Sequence, residues 1–316
     1  MAILVVGSVA FDTIETPSGK RDRCLGGAAT FFSLAASYFT QVRVIAVVGE
    51  DFHAEHEAVL TRRGVDLAGL ERTSGKCFHW TGSYLQNLNE AQTLKTELNV
   101  FERFAPGVPE SYQDSEFLFL ANIDPALQKS VRQQMPKARM VCGDTMNYWI
   151  AGHRERLAEV LQGLDVLLIN DGEAKLLAGE TNLVTAARKI LDMGTRNLIV
   201  KHGEYGATAF FGDPAFAGRP PADGGRSATL AFRSPALPLS EVVDPTGAGD
   251  SFAGGFFGYL ASQPEVNAQS FKRAMFYGGV MGSFAVERFG TERLQSLTRE
   301  EIDHRFARMR ELSHLD

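Results

Sequence analysis

The chain has 316 residues, 44% of them hydrophobic and 22% charged, enough apolar material for one large α/β domain or two smaller ones. A formal net charge of −6 and the absence of any Lys/Arg cluster argue against nucleic acid as a partner. Cys24, Cys77 and Cys142 lie far apart with no Cys-x-x-Cys pair, and none of the seven histidines (His53, His56, His79, His153, His202, His304, His314) makes a spacing such as His-Glu-x-x-His, so neither a zinc site nor a disulfide framework is indicated.

The N-terminal MAILVVGSVAFD lacks the basic start and long apolar core of a signal peptide, and no window approaches ~18 uninterrupted apolar residues. A cytoplasmic protein with no membrane partner is therefore expected. Residues 3–7 form an apolar run entering a glycine, which suits a buried parallel strand opening an α/β domain. Gly7 is followed by Ser8, Val9, Ala10 and Phe11, so the Gly-x-Gly-x-x-Gly of a dinucleotide site is missing, which argues against an NAD enzyme. Asp12 follows, for which the plain alternative to a functional role is a solvated loop carboxylate. Gly26 and Gly27 then open an apolar helix that reaches about Phe39. Glycines at a helix start let backbone approach a ligand, or form a tight turn with no partner.

Residues 42–49 read as a second strand, 54–63 as a helix and 64–66 as its exit. Then the period changes. Residues 76–84 and 93–101 alternate, with Leu94, Thr96, Leu98 and Val100 on one side against Lys95, Glu97 and Asn99 on the other. Period two across a polar connection predicts a half-exposed hairpin. Joined to residues 13–24 it would make a small β lid able to keep water from a reacting group; the alternative is a plain surface hairpin. Phe78, Trp80 and Tyr84 fit either a sticky lid face or a homodimer contact.

From Glu116 onward β–α alternation resumes, with strands expected at 117–121, 139–142 and 166–169. The third ends in Asn170-Asp171-Gly172-Glu173, where a Glu three residues past an Asn is also an ordinary capping box. Residues 197–201 form the next strand and lead into His202-Gly203-Glu204-Tyr205-Gly206. The Pro/Gly-rich residues 218–226 read as a surface loop between strands of an edge hairpin, and 271–287 as a helix.

The most informative stretch is residues 242–261, VVDPTGAGDSFAGGFFGYLA. A short β-branched run, an Asp-Pro turn and an apolar segment with small residues read as strand, glycine turn and helix. Gly247, Ala248 and Gly249 leave backbone N–H groups open to an anion, and the helix N-terminus adds its positive end. Asp244 and Asp250 flank this turn. The economical reading is that Asp250 accepts the proton of a substrate hydroxyl while the three amides hold charge on a phosphoryl group in transfer. Singly, each residue also has a structural explanation as turn or cap chemistry.

Asp244-Pro245-Thr246-Gly247-Ala248-Gly249-Asp250 resembles the C-terminal signature of the ribokinase-like (PfkB) carbohydrate kinases, a family that includes adenosine kinases. The resemblance covers nearly the whole chain. It implies a single domain over residues 1–316, a doubly wound α/β sheet, mostly parallel, with flanking helices, plus a small β lid from about 13–24 and 76–103. It also implies ATP and Mg²⁺ as cofactors and a sugar, polyol or nucleoside as substrate, with a non-catalytic sugar or nucleotide sensor as the remaining alternative. In such enzymes an Asp at the place of Asp12 bonds substrate hydroxyls, and the pair Gly26-Gly27 lies against the sugar. An Asn usually follows where this chain has Phe31, which either reshapes the pocket or packs in the core. Asn170 and Glu173 match the Asn-x-x-Glu motif near magnesium and phosphates, and Gly203 and Gly206 a turn beside the nucleotide, with Thr246 close by. Lys201 replaces a common Thr there. Asp244, with Ala285 and Gly290, resembles the site of a monovalent cation such as K⁺.

Overall fold

In a computed structural model of the chain, residues 1–217 and 230–313 are described. The loop expected at 218–226 lies outside them. The strands in chain order are β1 (Ala2–Val6), β2 (Ala10–Thr16), β3 (Gly19–Gly26), β4 (Gln41–Val48), β5 (Asp66–Arg72), β6 (Phe78–Ser83) and β7 (Gln92–Glu97). There follow β8 (Phe117–Leu120), β9 (Met140–Asp144), β10 (Val166–Asn170), β11 (Asn197–Lys201), β12 (Ala207–Phe211) and β13 (Leu230–Ser234).

The larger sheet has the order β13-β12-β11-β10-β9-β8-β1-β4-β5. All neighbours from β5 to β11 are parallel, and β12 and β13 close that edge as an antiparallel pair. Both faces are buried because alternate residues of one strand serve two cores. Ile3 and Val5 join the helices Ala28–Ala36, Ala248–Ser262 and Ala268–Ala285, while Leu4 and Val6 join Pro125–Gln134, Arg154–Leu161 and Leu183–Asp192. From β1 the chain runs one way to β4 and β5 and the other way to β8. That reversal marks the switch point where α/β sheets gather ligands at strand C-terminal ends.

A second sheet has the order β3-β2-β6-β7 and joins the segments expected to make the lid. The hairpin β6–β7 is antiparallel, as the alternation predicts, and β6 lies parallel to β2. One alternative falls and two expectations need correction. Asp12 is not in a loop: it is a β2 residue whose register partners are Cys24 and Trp80. The second lid strand stops at Glu97 and not at Phe101, because Asn99 takes a left-handed φ of 50° and its side chain donates to Cys77 O, turning residues 99–103 into a 3-10 helix. Residues 242–243 are not a strand either. The Val243 and Asp244 amides share a single acceptor, Val286 O, at 2.9 and 3.3 Å, which leaves no ladder to propagate.

Two glycines set the position of the helix Ala248–Ser262. A Cβ at Gly254 would stand 2.4 Å from Phe32 O, and one at Gly258 would stand 2.9 Å from Ala36 Cα. Four residues apart, they share one helix face and let the helix Ala28–Ala36 approach at backbone distance. The glycine turn is thereby seated on Phe31.

Candidate active site

Most of the residues singled out in the sequence line one cavity of about 1330 Å³, whereas Gly26, Gly206, Asp244, Ala248, Gly249, Ala285 and Gly290 are not part of its lining. Asp12, Gly27 and Phe31 are at one end and Asn170, Glu173, Lys201 and Gly203 at the other, with Thr246, Gly247 and Asp250 between them. The ends of β10 and β11 and the start of the helix Ala248–Ser262 therefore open into one space.

Backbone conformation explains the glycines. Gly247 has φ 72°, and a Cβ there would meet the Phe31 ring at 2.3 Å. Phe31, 1% exposed, is thus the floor beneath the turn. Gly27 has φ 92° and its N–H reaches the Asp12 carboxylate, while a Cβ at Gly26 would collide with Asp12 Oδ2 at 1.9 Å. The glycine pair makes room for the acid.

At the turn itself, Ala248 N–H donates to Pro245 O at 3.2 Å and Ser251 N–H to Gly247 O at 2.8 Å. The Ala248 amide is therefore already engaged. The N–H groups of Gly247 and Gly249 make no backbone hydrogen bond among the described residues, so two donors remain for an anion. Lys201 reaches under the same turn: a Cβ at Gly249 would lie 2.9 Å from its Nζ.

Burial raises the affinity of these acids for protons. The Asp12 carboxyl is pushed up to about 7 by burial, helped by Asp244 and Asp250 and opposed by the Gly27 N–H. Asp250 is also raised by burial, with the Lys201 ammonium pulling the other way. Glu173 follows the same pattern, raised by burial and lowered by Lys201 and the Asn170 N–H. Asn170 and Glu173 complete a reciprocal cap, Asn170 Oδ1 accepting from Glu173 N–H at 2.7 Å and Glu173 Oε2 from Asn170 N–H at 2.8 Å.

Asp244 is fully buried and both its oxygens accept backbone N–H groups, from Thr246 at 2.9 Å and Gly290 at 2.8 Å. With Val286 O accepting from Val243 and Asp244, this draws the segment after Ala285 alongside the turn. Asp244 thus has a structural task that requires no cation.

Two residues at the site escaped the sequence reading. Asp144 ends β9 at 6% exposure; burial and the nearby Asp250 raise it well above the usual carboxylate range, and its Oδ1 has no hydrogen-bond partner among the described residues. Tyr84, named only as a lid aromatic, places its hydroxyl 3.4 Å from Thr246 Oγ1 in the buried interior. The position of Asp144 at a strand C-terminus was the available signal. Among the described residues no group of three or more His, Cys, Asp or Glu side chains could hold a metal by itself. A magnesium ion that arrives with phosphate oxygens and keeps its waters needs only one or two carboxylates, and the unpartnered Asp144 oxygen beside Glu173 fits that requirement.

A partly buried carboxylate at a helix start, free amides before it and a lysine beneath them define a phosphotransferase working on a hydroxyl. The chain belongs to the pfkB family of carbohydrate kinases, whose sequence profile matches residues 3–297. It is similar to a cytidine kinase of Thermococcus kodakarensis, 27% identical over 270 residues that span 83% of this chain and 90% of that protein. It also superposes on the nucleoside kinase of Methanocaldococcus jannaschii with a TM-score of 0.74 at 18% identity, covering 97% of this chain and 98% of the other. A ribokinase II of E. coli in complex with ATP and magnesium gives a TM-score of 0.74 at 20% identity, covering 97% of this chain and 99% of the other. No described helix is long and apolar enough to cross a membrane.

Proposed function

We propose that this kinase moves the γ-phosphoryl group of ATP to a hydroxyl, expected to be a primary one, of a sugar-bearing small molecule. One observation carries the reading: Asp250 shares a cavity with Asp12 and adjoins two glycine amides that have no other backbone partner. Asp12 accepts from neighbouring substrate hydroxyls and so orients the acceptor. Asp250 takes the proton of the reacting hydroxyl as its oxygen bonds to the γ-phosphorus and the bridging oxygen leaves with ADP. The Gly247 and Gly249 N–H groups hold the charge on the transferring group, and Lys201 balances the acids beneath it. Magnesium, held through Glu173 and Asp144, supplies neutralisation of the phosphate charge when bound. No step is assigned to potassium; equal rates in potassium and tetramethylammonium would remove Asp244, Ala285 and Gly290 as a cation site, and a potassium-dependent rise would restore it.

A nucleoside acceptor is favoured over a free sugar by one feature, the aromatic wall. Phe78, Trp80 and Tyr84 from β6 and its end and Tyr148 from the helix Asn147–Gly152 line the cavity, aromatic surface suited to a base. The similarity to a cytidine kinase over 83% of the chain supports the same choice. A coupled assay for ADP with cytidine, adenosine, inosine, ribose, fructose and inositol separates these readings. Turnover with nucleosides is the expected result; turnover only with free sugars overturns the nucleoside choice. ATP binding with no ADP release across the panel would favour a sensor.

A further inference from the structure

The lid has so far been given one task, enclosing the acceptor. Its tip reaches the other half of the cavity. Gly203, with a left-handed φ of 55°, begins the turn after β11, and a Cβ built on it would lie 2.0 Å from Asn89 Oδ1 and 2.8 Å from Asn89 Cγ. The connection between β6 and β7 is therefore packed directly on that turn. At its other end the same connection starts from Tyr84, whose hydroxyl lies 3.4 Å from Thr246 Oγ1 at the entrance to the glycine turn. Tyr84 is anchored there by packing with Ile14 and Phe289 and by its own N–H, which donates to Glu15 O at 2.8 Å.

One hairpin thus touches both backbone turns of the phosphate half while β6 carries Trp80 into the acceptor half. Asn89 is exposed, lines the cavity, and its side-chain amide makes no hydrogen bond among the described residues. A carboxamide NH₂ beside a glycine turn is a suitable donor to a phosphate oxygen. We propose that Asn89 is a donor-site residue contributed by the lid: its side-chain amide binds a phosphate oxygen of the nucleotide at the Gly203 turn, and the Tyr84–Thr246 contact holds the lid where it can do so. The chemical class it takes is a nucleoside polyphosphate. A lid tied to both substrates makes their binding mutually reinforcing, since each holds the same element in place.

This assignment rests on the kinase reading, and the test keeps the two apart. Trp80 on the lid reports occupancy by fluorescence once Trp149 is replaced by Phe. In that background the probe is adenylyl imidodiphosphate with magnesium and no acceptor. The parent is expected to bind with a change in Trp80 emission, Asn89→Ala to bind about tenfold more weakly or worse, and Asn89→Asp to bind more weakly still, because it sets a like charge against phosphate. Tyr84→Phe keeps the ring and removes only the hydroxyl; it should blunt the emission change. Parent-like affinity in both Asn89 variants, with melting temperatures unchanged, overturns the lid assignment and leaves the kinase reading standing. Failure of the parent to bind the nucleotide at all overturns both.

Discussion

Asp144 shows how a residue can be structurally plain in the sequence and chemically loaded in the fold. The run Asp144-Thr145-Met146-Asn147 carries no motif that was recognised, whereas the Asp244–Asp250 string announces itself by its length. What distinguishes Asp144 is tertiary: it ends a parallel strand next to Asp250, Glu173 and Lys201, with one oxygen unpartnered. Asp144→Asn is expected to raise the magnesium concentration needed for half-maximal rate by about tenfold, read from magnesium titrations at fixed ATP. An unchanged magnesium requirement would deny it a place at the metal. Asp12 makes a different prediction. Its carboxyl is pushed up to about 7, so its hydroxyl-accepting form is lost as pH falls through about 7. The acceptor KM should rise below that pH in the parent, and the profile should flatten in Asp12→Asn; identical profiles would show that another group sets the limb. The position of Asp12 after β1 was legible in the sequence, but its burial was not, because the pairing of β2 with β6 joins residues far apart in the chain.

At the scale of elements, what could be read was what depended on local pattern. The period-two alternation correctly marked the β6–β7 hairpin, and the glycine turn followed by small residues marked the helix Ala248–Ser262. The β-branched pair Val242-Val243 misled, because an extended segment becomes a strand only when a partner supplies a ladder, and Val286 O alone does not. The face carrying Leu94 and Leu98 is solvent-facing in this single chain, with Leu94 54% exposed, although the alternation read as half-buried. The homodimer contact expected from the lid is tested by light scattering, where a monomer at micromolar concentration would speak against it. The helix contact is more demanding. Gly258→Val puts branched carbon where even a Cβ lies 2.9 Å from Ala36 Cα, and should cost ~1–3 kcal/mol in urea unfolding while weakening the seat of the glycine turn. An unaltered midpoint would mean that the helices can part without penalty.

For the whole molecule, the strand order places the ends of β9, β10 and β11 beside the helix that starts at Ala248, and that convergence has an energetic cost. Asp12, Asp144, Glu173 and Asp250 are all raised by burial, so the folded state holds protons that the unfolded chain releases. The sign follows directly: each such acid lowers stability as pH climbs above its unfolded value. For Asp12 the loss starts near 3.8 and is complete near 7, and three units at ~1.4 kcal/mol each set a ceiling of about 4 kcal/mol. The ligand-free protein should therefore lose stability between pH about 4 and about 7 in urea melts, and Asp12→Asn should reduce that slope. An equal slope in the variant would mean that the Asp12 carboxyl is not held protonated by the fold. The alternating β–α pattern and the late glycine motif made the fold class readable, while the arrival of Asp144 among the other acids could come only from topology.

The measurement closest to the central claim is the turnover of Asp250→Asn, followed by ADP release with an acceptor active in the parent, alongside calorimetric ATP binding. The account predicts ATP affinity within a few-fold of the parent and turnover lower by ~10²–10⁴. Turnover at the parent rate with ATP bound would show that another group takes the proton, and the catalytic assignment would be wrong.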